Sequence, residues 1–342
     1  MREPGAAGAE RLDRFMARAN AAYYAAHDPF ADFTTAPEIS QVFGELLGLW
    51  AAVCWEMLGR PAPVLLVEAG PGRGTLMADA LRAIMAVAPG FAAALEPQLI
   101  ETSPRLRALQ QRALPAAFAT RAAWHERLDS LPAAPLLLLA NEFLDALPVR
   151  QFVRRGAGWT ERFVAAGALE EHPAAPPPAM PGDPALAAPE GAVREVCEPA
   201  RAFAAGLGAR LRRDRGAALL LDYGPTEPCL GESLQALRAG RPANPLDAPG
   251  EADLTAHVDF PALAAIARAA GAAVHGPLPQ GVLLTRLGLF QRTDRLARGG
   301  TPARAAGLIA AARRLAEPYR MGRLFKALAL CHPELSTLPG FA

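Results

Sequence analysis

The sequence predicts an α/β fold built on a doubly wound parallel sheet. Short apolar runs that fit buried strands alternate with segments whose apolar residues recur at helical spacing. A glycine-rich turn joins the first run to a helix, as in nucleotide-binding units. Polar residues follow several runs, where parallel strands place their ligand-binding edge. With 342 residues and 51% hydrophobic content, the chain can build one large domain, with or without a substantial insertion.

Residues 1–60 are predicted to form a helical amino-terminal extension. Apolar side chains recur at helical spacing over residues 6–26 and again over residues 40–58, so a helix is expected in each segment. Residues 28–38 lie between these segments and contain two prolines. They are therefore expected to form a loop.

Residues 61–150 are predicted to contain the ligand-binding core, with four strands and the helices between them. Four consecutive leucines make the last strand the clearest buried one. Ser103 is expected to cap a helix whose first turn holds Pro104. The strands are expected over residues 64–67, 97–100, 118–124 and 135–140, and the helices over residues 76–85 and 104–114.

The rest of the chain is predicted to carry an insertion and then to complete the sheet. The insertion, residues 151–215, is expected to hold a β-hairpin around Gly156 and Gly158, a Pro-rich loop and a helix. Residues 216–342 are expected to complete the core sheet with substrate-side loops and helices. Within these segments we expect a loop over 173–189, an irregular stretch over 225–256, helices over 196–213, 259–270 and most of 283–315, and strands over 217–221, 272–275 and 324–330.

The turn after the first strand is the most informative stretch of the sequence. Gly70, Gly72 and Gly74 are spaced G-x-G-x-G, and Glu68 precedes the first of them by two positions. Dinucleotide-binding turns read G-x-G-x-x-G beside a pyrophosphate. The spacing here instead suits a cationic ligand without phosphates, such as S-adenosyl-L-methionine (SAM), because glycines admit it closely and a carboxylate can engage its positive end. A turn that only packs the helix on the strand is the alternative.

Two further strands of the predicted core end in polar residues. Glu101 follows the second strand, where an acidic side chain typically binds a pair of ribose hydroxyls. The alternative is a charge that favours the start of a helix.

Asn141 and Glu142 end the four-leucine strand, and Asp145 follows. Methyl transfer is an in-line displacement that needs a nucleophile held close and aligned. If the nucleophile is a guanidinium nitrogen, carboxylates here would bind the cation and localise its charge. A helix start capped by Asn141 is the alternative, and both roles can coexist.

Composition and spacing argue against several function classes. The net charge is +1 and no long basic run occurs, so no nucleic-acid groove is expected. Neither the four cysteines nor the six histidines have metal-ligand spacing, so we expect reduced thiols and no metal site. Lys326 is the only lysine, which excludes a P-loop, and no G-x-S-x-G elbow occurs. No apolar run reaches transmembrane length and the first residues lack a signal pattern, so we expect no membrane insertion and a cytoplasmic location.

In its motifs and their order, the sequence resembles the MidA family of SAM-dependent methyltransferases. The resemblance runs from about Tyr23 to Ala329, and the joint order of the motifs is highly specific. The matching segments are residues 32–40 (DFTTAPEIS), 43–45 (FGE), 68–76 (EAGPGRGTL), 101–104 (ETSP), 141–148 (NEFLDALP), 222–224 (DYG), 253–260 (DLTAHVDF) and 321–322 (MG).

The resemblance implies a class I methyltransferase, with a Rossmann-like doubly wound sheet, a helical amino-terminal extension and inserted substrate-side elements. SAM is the implied methyl donor and S-adenosyl-L-homocysteine (SAH) the product. In the mitochondrial members the activity is symmetric dimethylation of an arginine on a core subunit of respiratory complex I. A protein substrate of that kind is therefore implied here. The oligomeric state is left open, a homodimer included.

Residues and motifs together predict a set of site residues. Catalytic roles are expected for Glu142, Asp145 and Asn141. The motifs around the first two strands would bind SAM, and others would form the substrate side. The SAM set is Glu68, Gly70, Pro71, Gly72, Gly74, Thr75, Glu101, Thr102, Ser103 and Asn141, and the substrate-side set is Thr35, Pro37, Glu38, Asp222 and Tyr223.

Two features depart from the family pattern. Phe30 runs almost directly into Asp32, where similar sequences have a longer glycine-containing stretch, and Gly240 stands where they often have a histidine. These departures motivate a second hypothesis, a non-catalytic or weakly catalytic SAM-binding assembly factor for a respiratory complex. A third hypothesis is an NAD-dependent oxidoreductase, although the glycine spacing fits it poorly.

Overall fold

The computed structural model describes residues 8–27, 34–179 and 182–341. The shortened stretch from Phe30 to Asp32 lies outside these residues. The chain divides into two compact units, each assembled from separate stretches of sequence. The first unit comprises Met1–Phe33, Leu144–Ala202 and Pro225–Leu263, and the second comprises Thr34–Phe143, Phe203–Gly224 and Ala264–Ala342.

Helices and strands alternate along most of the described chain. The helices are α1 (Leu12–Ala26), α2 (Ala36–Ile39), α3 (Gln41–Met57), α4 (Thr75–Val87), α5 (Pro89–Ala94), α6 (Pro104–Ala113), α7 (Ala116–Ala119), α8 (Glu198–Asp214), α9 (Phe260–Ala269), α10 (Gln280–Arg286), α11 (Leu289–Ala297) and α12 (Pro302–Ala316). The strands are β1 (Glu10–Arg11), β2 (Val64–Ala69), β3 (Leu95–Ile100), β4 (Ala123–His125), β5 (Leu136–Asn141), β6 (Arg150–Arg155), β7 (Gly158–Ala165), β8 (Ala168–Ala174), β9 (Val193–Val196), β10 (Gly216–Tyr223), β11 (Gln235–Arg238), β12 (Arg241–Ala243), β13 (Asp253–Thr255), β14 (Ala273–Pro279) and β15 (Phe325–Cys331). Within the described residues, no helix combines the length and the apolar character that crossing a membrane requires.

The second unit is built on a seven-stranded sheet with the strand order β14-β15-β10-β5-β2-β3-β4. Strands β10, β5, β2, β3 and β4 run parallel, which confirms the predicted doubly wound core. Strand β15 runs antiparallel to both of its neighbours, so the sheet is mixed where the sequence predicted a parallel one. The apolar pattern of β15 carries no information about strand direction.

The central strands β2 and β5 are buried along their whole length and are apolar except near their carboxyl ends. Every residue of β2 and of β5 is buried, including the polar Glu68 and Asn141 at their carboxyl ends. Continuous apolar runs are typical of parallel strands covered on both faces. The two polar ends therefore stand out as positions that packing alone does not require.

Helices α3 and α4 cross very closely beside this sheet. An ideal Cβ on Gly44 would lie 2.6 Å from the Cβ of Asp79, and one on Gly48 would lie 2.7 Å from the Cα of Ala80. Only glycine allows this separation of the two helices. The crossing fixes α4, which begins at the glycine turn.

The first unit contains two smaller sheets and helix α1. One sheet has the order β1-β7-β6-β9 with β8 paired to β7, and the other has the order β12-β11-β13. The hairpin predicted around Gly156 and Gly158 is confirmed by the antiparallel pairing of β6 and β7. Apolar residues of α1 form a core with β7, β11 and β13, in which Leu12, Phe15 and Leu254 are buried.

The departure at Gly240 has a local explanation. Strands β11 and β12 pair in antiparallel register, with Arg238 opposite Arg241. The two residues that connect them, Ala239 and Gly240, have φ values of +51° and +69°. A two-residue hairpin turn with both φ values positive favours glycine over histidine, because glycine has no Cβ.

Several predicted elements are wrong in type. Residues 225–256 were expected to be irregular, but they form the sheet of β11, β12 and β13. These strands are three or four residues long, too short to show alternation in the sequence. Residues 36–39 form α2 where a loop was expected, because Pro37 occupies a first-turn position that needs no N–H donor.

Other predictions have displaced boundaries. Residues 118–124 were predicted as one strand, but Phe118 belongs to α7 and only β4 is extended. The helix expected over 6–26 begins at Leu12, after β1 has paired with β7. Val196 ends strand β9, and the helix expected from that residue begins at Glu198. The loop expected over 173–189 begins within β8 and includes a short helical turn at Pro184–Ala187.

Candidate functional site

The glycine turn of the second unit links β2 to α4. Gly70, Gly72 and Gly74 have φ values of +65°, +54° and +82°. A Cβ on Gly70 would lie 2.8 Å from the ring of Phe143, and one on Gly74 would lie 3.1 Å from the Cα of Gln110. The N–H of Gly74 donates to the carbonyl of Pro71 at 2.7 Å and closes the turn. The turn therefore brings bare backbone to the carboxyl edge of the sheet.

Glu68 lies beneath this turn with one carboxylate oxygen unsatisfied. The side chain is 3% exposed and accepts a hydrogen bond from the backbone N–H of Met77, in the first turn of α4. Its Oε2 is buried and receives no hydrogen bond within the described residues. Burial raises the pKa of Glu68 well above its usual value, and the charge of Glu101 adds to the effect. A cationic or hydroxyl-bearing ligand would supply the missing partner.

Glu101 follows β3 and is held by neighbouring backbone and by one amide side chain. The N–H of Ser103 donates to its Oε1 at 2.8 Å, and Gln110 Nε2 donates to its Oε2 at 3.0 Å. Burial raises the pKa of Glu101, while hydrogen bonds from Ser103, Gln110 and the backbone of Thr102 oppose that rise. Ser103 also caps α6 by accepting from the N–H of Leu106. Both interpretations of this motif, ligand binding and helix capping, are therefore compatible with the geometry.

Gln110 also belongs to this site, although its position in the sequence does not predict it. It is completely buried, and its Nε2 donates to the carbonyl of Gly72 at 2.8 Å as well as to Glu101. Its Oε1 accepts from the indole N–H of Trp124 at 2.8 Å. One amide thus ties the glycine turn to the carboxylate after β3. The available signal was a glutamine four positions after Leu106, on the buried face of α6.

Asn141 and Glu142 lie at the end of β5, the strand next to β2. Glu142 has a φ of +49°, an uncommon conformation for this residue type, and its N–H donates to the carbonyl of Leu221. Asn141 Nδ2 donates to Glu142 Oε1 at 2.9 Å. The Oδ1 of Asn141 is buried without a hydrogen bond among the described residues. The expected helix start is absent here, so capping does not explain these two residues.

The carboxylate of Glu142 also accepts the N–H of Ala36 at 2.9 Å, at the first position of α2. Burial raises its pKa, and the hydrogen bonds from Ala36 and Asn141 and the charge of Arg314 partly oppose the rise. Both hydrogen bonds that this carboxylate accepts from the described residues end on Oε1. The other oxygen, Oε2, remains available for a positively charged donor.

The predicted substrate-side segment adjoins the glycine turn. Thr35 precedes α2, its carbonyl accepts from the N–H of Glu38 at 3.0 Å, and Pro37 lies in the first turn of that helix. The hydroxyl of Thr75 donates to Glu38 Oε1 at 2.5 Å. This contact connects α2 to the start of α4. The segment therefore lies against both the glycine turn and Glu142.

Asp222 and Tyr223 end β10 at the same edge of the sheet. Asp222 is 1% exposed, and its Oδ1 accepts the N–H of Tyr223 at 2.9 Å. The Tyr223 ring packs edge to face on Phe325, with ring centroids 5.6 Å apart. In register, Leu221 pairs with Asn141 of the parallel neighbour β5. Both residues therefore follow a strand that ends beside Asn141.

Asp145 lies in the first unit. It is buried, and its carbonyl accepts the N–H of Ala256 at 2.9 Å. Burial raises the pKa of Tyr24 well above its usual value, and the charges of Asp253 and Asp145 add to that rise. The Tyr24 hydroxyl donates to Asp253 at 2.7 Å. The neighbours of Asp145 in its own unit are thus a buried phenol and a second carboxylate.

The residues of the second unit fit a SAM-like ligand. Among the described residues, Glu68 Oε2 and Asn141 Oδ1 are buried acceptors that receive no hydrogen bond, and the three glycines of the turn have no side chains to obstruct a ligand. Glu101 is held in a fixed orientation at the end of the next strand. In the described part of the chain, no three His, Cys, Asp or Glu side chains are grouped so that they could hold a metal ion.

Comparison with known proteins places these observations in context. A family model described as S-adenosyl-L-methionine-dependent methyltransferase matches residues 46–278. The chain is 33% identical to the mitochondrial protein arginine methyltransferase NDUFAF7 homolog of Drosophila melanogaster, over 94% of this chain and 80% of that protein. It is 30% identical to the Homo sapiens mitochondrial protein arginine methyltransferase NDUFAF7, over 94% of this chain and 79% of that protein.

A solved structure extends the likeness to the fold. A protein from Burkholderia thailandensis, crystallised with bound SAH, matches with a TM-score of 0.80 and 29% identity. The match covers 98% of this chain and 91% of the other. This likeness confirms the α/β fold class predicted from the sequence.

The comparisons contradict one prediction. The relatives from Drosophila melanogaster, Danio rerio and Homo sapiens are all mitochondrial proteins. The cytoplasmic location expected from the sequence is therefore wrong. That expectation rested on the absence of a signal pattern in the first residues. The absence of a pattern carries no positive information about location.

Proposed function

Since this chain belongs to the MidA family of S-adenosyl-L-methionine-dependent methyltransferases, we propose that it methylates an arginine side chain of a protein. The chain is a SAM-dependent methyltransferase, with SAM as its cofactor, as the sequence predicted. The names of its relatives support arginine as the acceptor. The family resemblance supports a core subunit of respiratory complex I as the protein that carries it.

We assign SAM binding to the edge of the second unit formed by β2, β3 and β5. Glu101 would accept hydrogen bonds from ribose hydroxyls, because its carboxylate is held by Ser103 and Gln110. Glu68 and Asn141 would use the oxygens that lack donors. When bound, SAM supplies an electrophilic methyl group and a sulfur leaving group. The residues of the chain bind SAM and the substrate, orient them for the reaction, and exclude water.

Glu142 is the single residue on which the arginine proposal depends most. Its Oε1 is fixed by the Ala36 N–H and by Asn141 Nδ2, which leaves Oε2 for a guanidinium N–H. A carboxylate there would hold the guanidinium and draw its positive charge toward the bound nitrogens. The remaining nitrogen then becomes a better nucleophile for in-line attack. The two hydrogen bonds favour the ionised carboxyl that this role requires, against the effect of burial.

The Glu142→Gln variant tests this role. Loss of a charge-assisted hydrogen bond costs about 1.5–3 kcal/mol, so we expect methyl transfer to fall roughly tenfold to hundredfold. SAM affinity, measured by calorimetry, should stay within about twofold, because we assign cofactor binding to other residues. Turnover is measured as radiolabelled methyl transfer into extract of cells that lack the protein.

The matched control is Glu126→Gln, which removes a carboxylate that is 72% exposed. It should leave both quantities unchanged. An unaltered turnover in Glu142→Gln would remove this residue from the catalytic set. Mass spectrometry of complex I subunits from cells with and without the protein identifies the acceptor. If no arginine loses methylation, the alternative of a SAM-binding assembly factor gains support.

A further inference from the structure

A cationic surface surrounds the turn between α12 and β15. It consists of the end of α12, a π-helical turn at Pro318–Gly322 and the residues that lead into β15. Two large apolar or aromatic side chains are exposed there, Tyr319 at 82% and Leu324 at 52%. We define the basic–aromatic surface as Arg313, Arg314, Tyr319, Arg320, Arg323 and Leu324.

The charge of this surface is strongly unbalanced. The segment 313–326 contains four arginines and the only lysine of the chain, against one carboxylate, Glu317. Glu317 is shared between Arg313, at 3.8 Å, and Arg320, at 3.2 Å. Arg314 and Arg323 have no ion-pair partner among the described residues. A whole chain of net charge +1 thus concentrates positive charge in one short segment.

The backbone beneath these side chains is firmly held. A Cβ on Gly322 would overlap the carbonyl of Ala316, so the turn packs directly on the end of α12. The N–H groups of Arg320 and Gly322 both donate to the carbonyl of Glu317. The buried ammonium of Lys326 donates to the carbonyls of Arg323 and Leu324 at 2.7 and 2.9 Å. The exposed side chains therefore project from a preorganised turn, which lowers the entropic cost of binding.

The surface also adjoins the proposed guanidinium site. Helix α12 packs against α2, whose first N–H binds Glu142. The charge of Arg314 is close enough to lower the pKa of Glu142. The positive charge of this surface therefore repels an arginine side chain that approaches Glu142. Negative charge on the same substrate would offset this repulsion.

We propose that the basic–aromatic surface docks an acidic segment of the substrate protein, next to the arginine to be methylated. This proposal rests on the proposed function. Arginine binds carboxylates in a bidentate manner, and tyrosine and arginine are both enriched at interface hot spots. Acidic residues beside the target arginine satisfy the unpaired guanidinium groups and bring the target arginine to Glu142. The surface thus selects arginines by their acidic neighbours.

Two synthetic peptides test the proposal. One carries a central arginine flanked by Asp and Glu, and the other has Asn and Gln at the same positions. Their binding is measured by fluorescence anisotropy in the presence of SAH, at low and at high salt. We expect the acidic peptide to bind at least tenfold more tightly at low salt and to lose most of this advantage at high salt. Equal binding of the two peptides would overturn the proposal.

Two double variants locate the interaction. Arg320→Gln with Arg323→Gln should abolish the preference for the acidic peptide. The control, Arg295→Gln with Arg298→Gln, removes the same charge from exposed residues at the end of α11. These residues lie near the start of α12, and the basic–aromatic surface lies at the other end of α12, about 20 Å away along its axis. This control should retain the preference. Equal loss in both variants would refute docking at this surface, as would tighter binding of a single-stranded RNA of equal charge.

Methyl transfer to the same peptides separates this proposal from the proposed function. Methylation of both peptides with equal kcat/KM means that docking fails while arginine methylation stands. Tight, surface-dependent binding of the acidic peptide without methylation means that docking stands while arginine methylation fails. If both proposals hold, the double variant at Arg320 and Arg323 raises KM for the acidic peptide about tenfold and leaves kcat unchanged.

Discussion

Gln110 is completely buried although it is polar, and both ends of its amide have partners. The sequence predicted Glu101 from its position after a strand, because the chemistry of ribose binding requires an acceptor there. It did not predict Gln110, because the partners of a buried amide are distant in sequence. The atoms that Gln110 joins belong to a turn 38 positions earlier and a carboxylate 9 positions earlier. The sequence thus predicted candidate binding groups, whereas the buried amide that holds two of them together became evident only from the fold.

Replacement of Gln110 by alanine should weaken SAH binding. The substitution removes the Gln110 donor from the carbonyl of Gly72 and from Oε2 of Glu101, and a lost hydrogen bond of this kind costs about 1–3 kcal/mol. We therefore expect the dissociation constant, measured by calorimetry, to rise roughly tenfold or more. The neighbouring Gln111→Ala variant is the control, because Gln111 is exposed. Equal affinities of the two variants would show that Gln110 does not position the SAM site.

At the scale of elements, prediction succeeded where burial on both faces produced long apolar runs. Strands β2, β5 and β10 were recognised for this reason, and helix α3 was recognised because its apolar residues recur at helical spacing. The sheet of β11, β12 and β13 was missed because each strand takes its stability from pairing and from packing of one or two residues, such as Ala236 and Leu254. The close crossing of α3 and α4 was also not predicted, because a glycine within a helical sequence does not indicate which element packs against it.

The crossing of α3 and α4 predicts opposite effects for two glycine substitutions. Gly48→Ala places a methyl group 2.7 Å from the Cα of Ala80, so we expect a loss of about 1–3 kcal/mol in the free energy of unfolding. Gly307 lies within α12 with no atom within 4 Å of an added Cβ. Gly307→Ala should therefore stabilise by about 0.5–1 kcal/mol, as alanine does in an open helix. Urea denaturation measures both values, and destabilisation of equal size in the two variants would contradict the close crossing.

At the scale of the whole molecule, the unit that carries the proposed SAM site is assembled from three stretches of sequence. The sequence predicted consecutive domains, and no linker composition marks the points where the chain passes between units. The boundaries between the units depend on contacts between residues that are far apart in sequence, and these contacts cannot be predicted from a single sequence. The alternation of strands and helices nevertheless predicted the sheet of the second unit, because its central strands β2, β5 and β10 are individually buried.

Ligand binding should stabilise the folded chain as a whole. A ligand at 100 times its dissociation constant adds about 2.7 kcal/mol to the free energy of unfolding, so SAH should raise the melting temperature by several degrees. NAD at the same concentration should produce no shift, because the turn lacks the spacing that accommodates a pyrophosphate. Differential scanning calorimetry with each ligand provides the measurement. A shift with NAD and none with SAH would favour the oxidoreductase hypothesis.

The chain contains a single lysine, Lys326, at the start of strand β15. Lys326 is 9% exposed, and its ammonium is engaged by two backbone carbonyls at the start of a fully buried strand. A protease specific for lysine therefore has a single cleavage site, and that site is inaccessible while β15 stays in the sheet. Cleavage at this bond would report that β15 has left the sheet. The chain thus contains its own probe for the opening of the sheet.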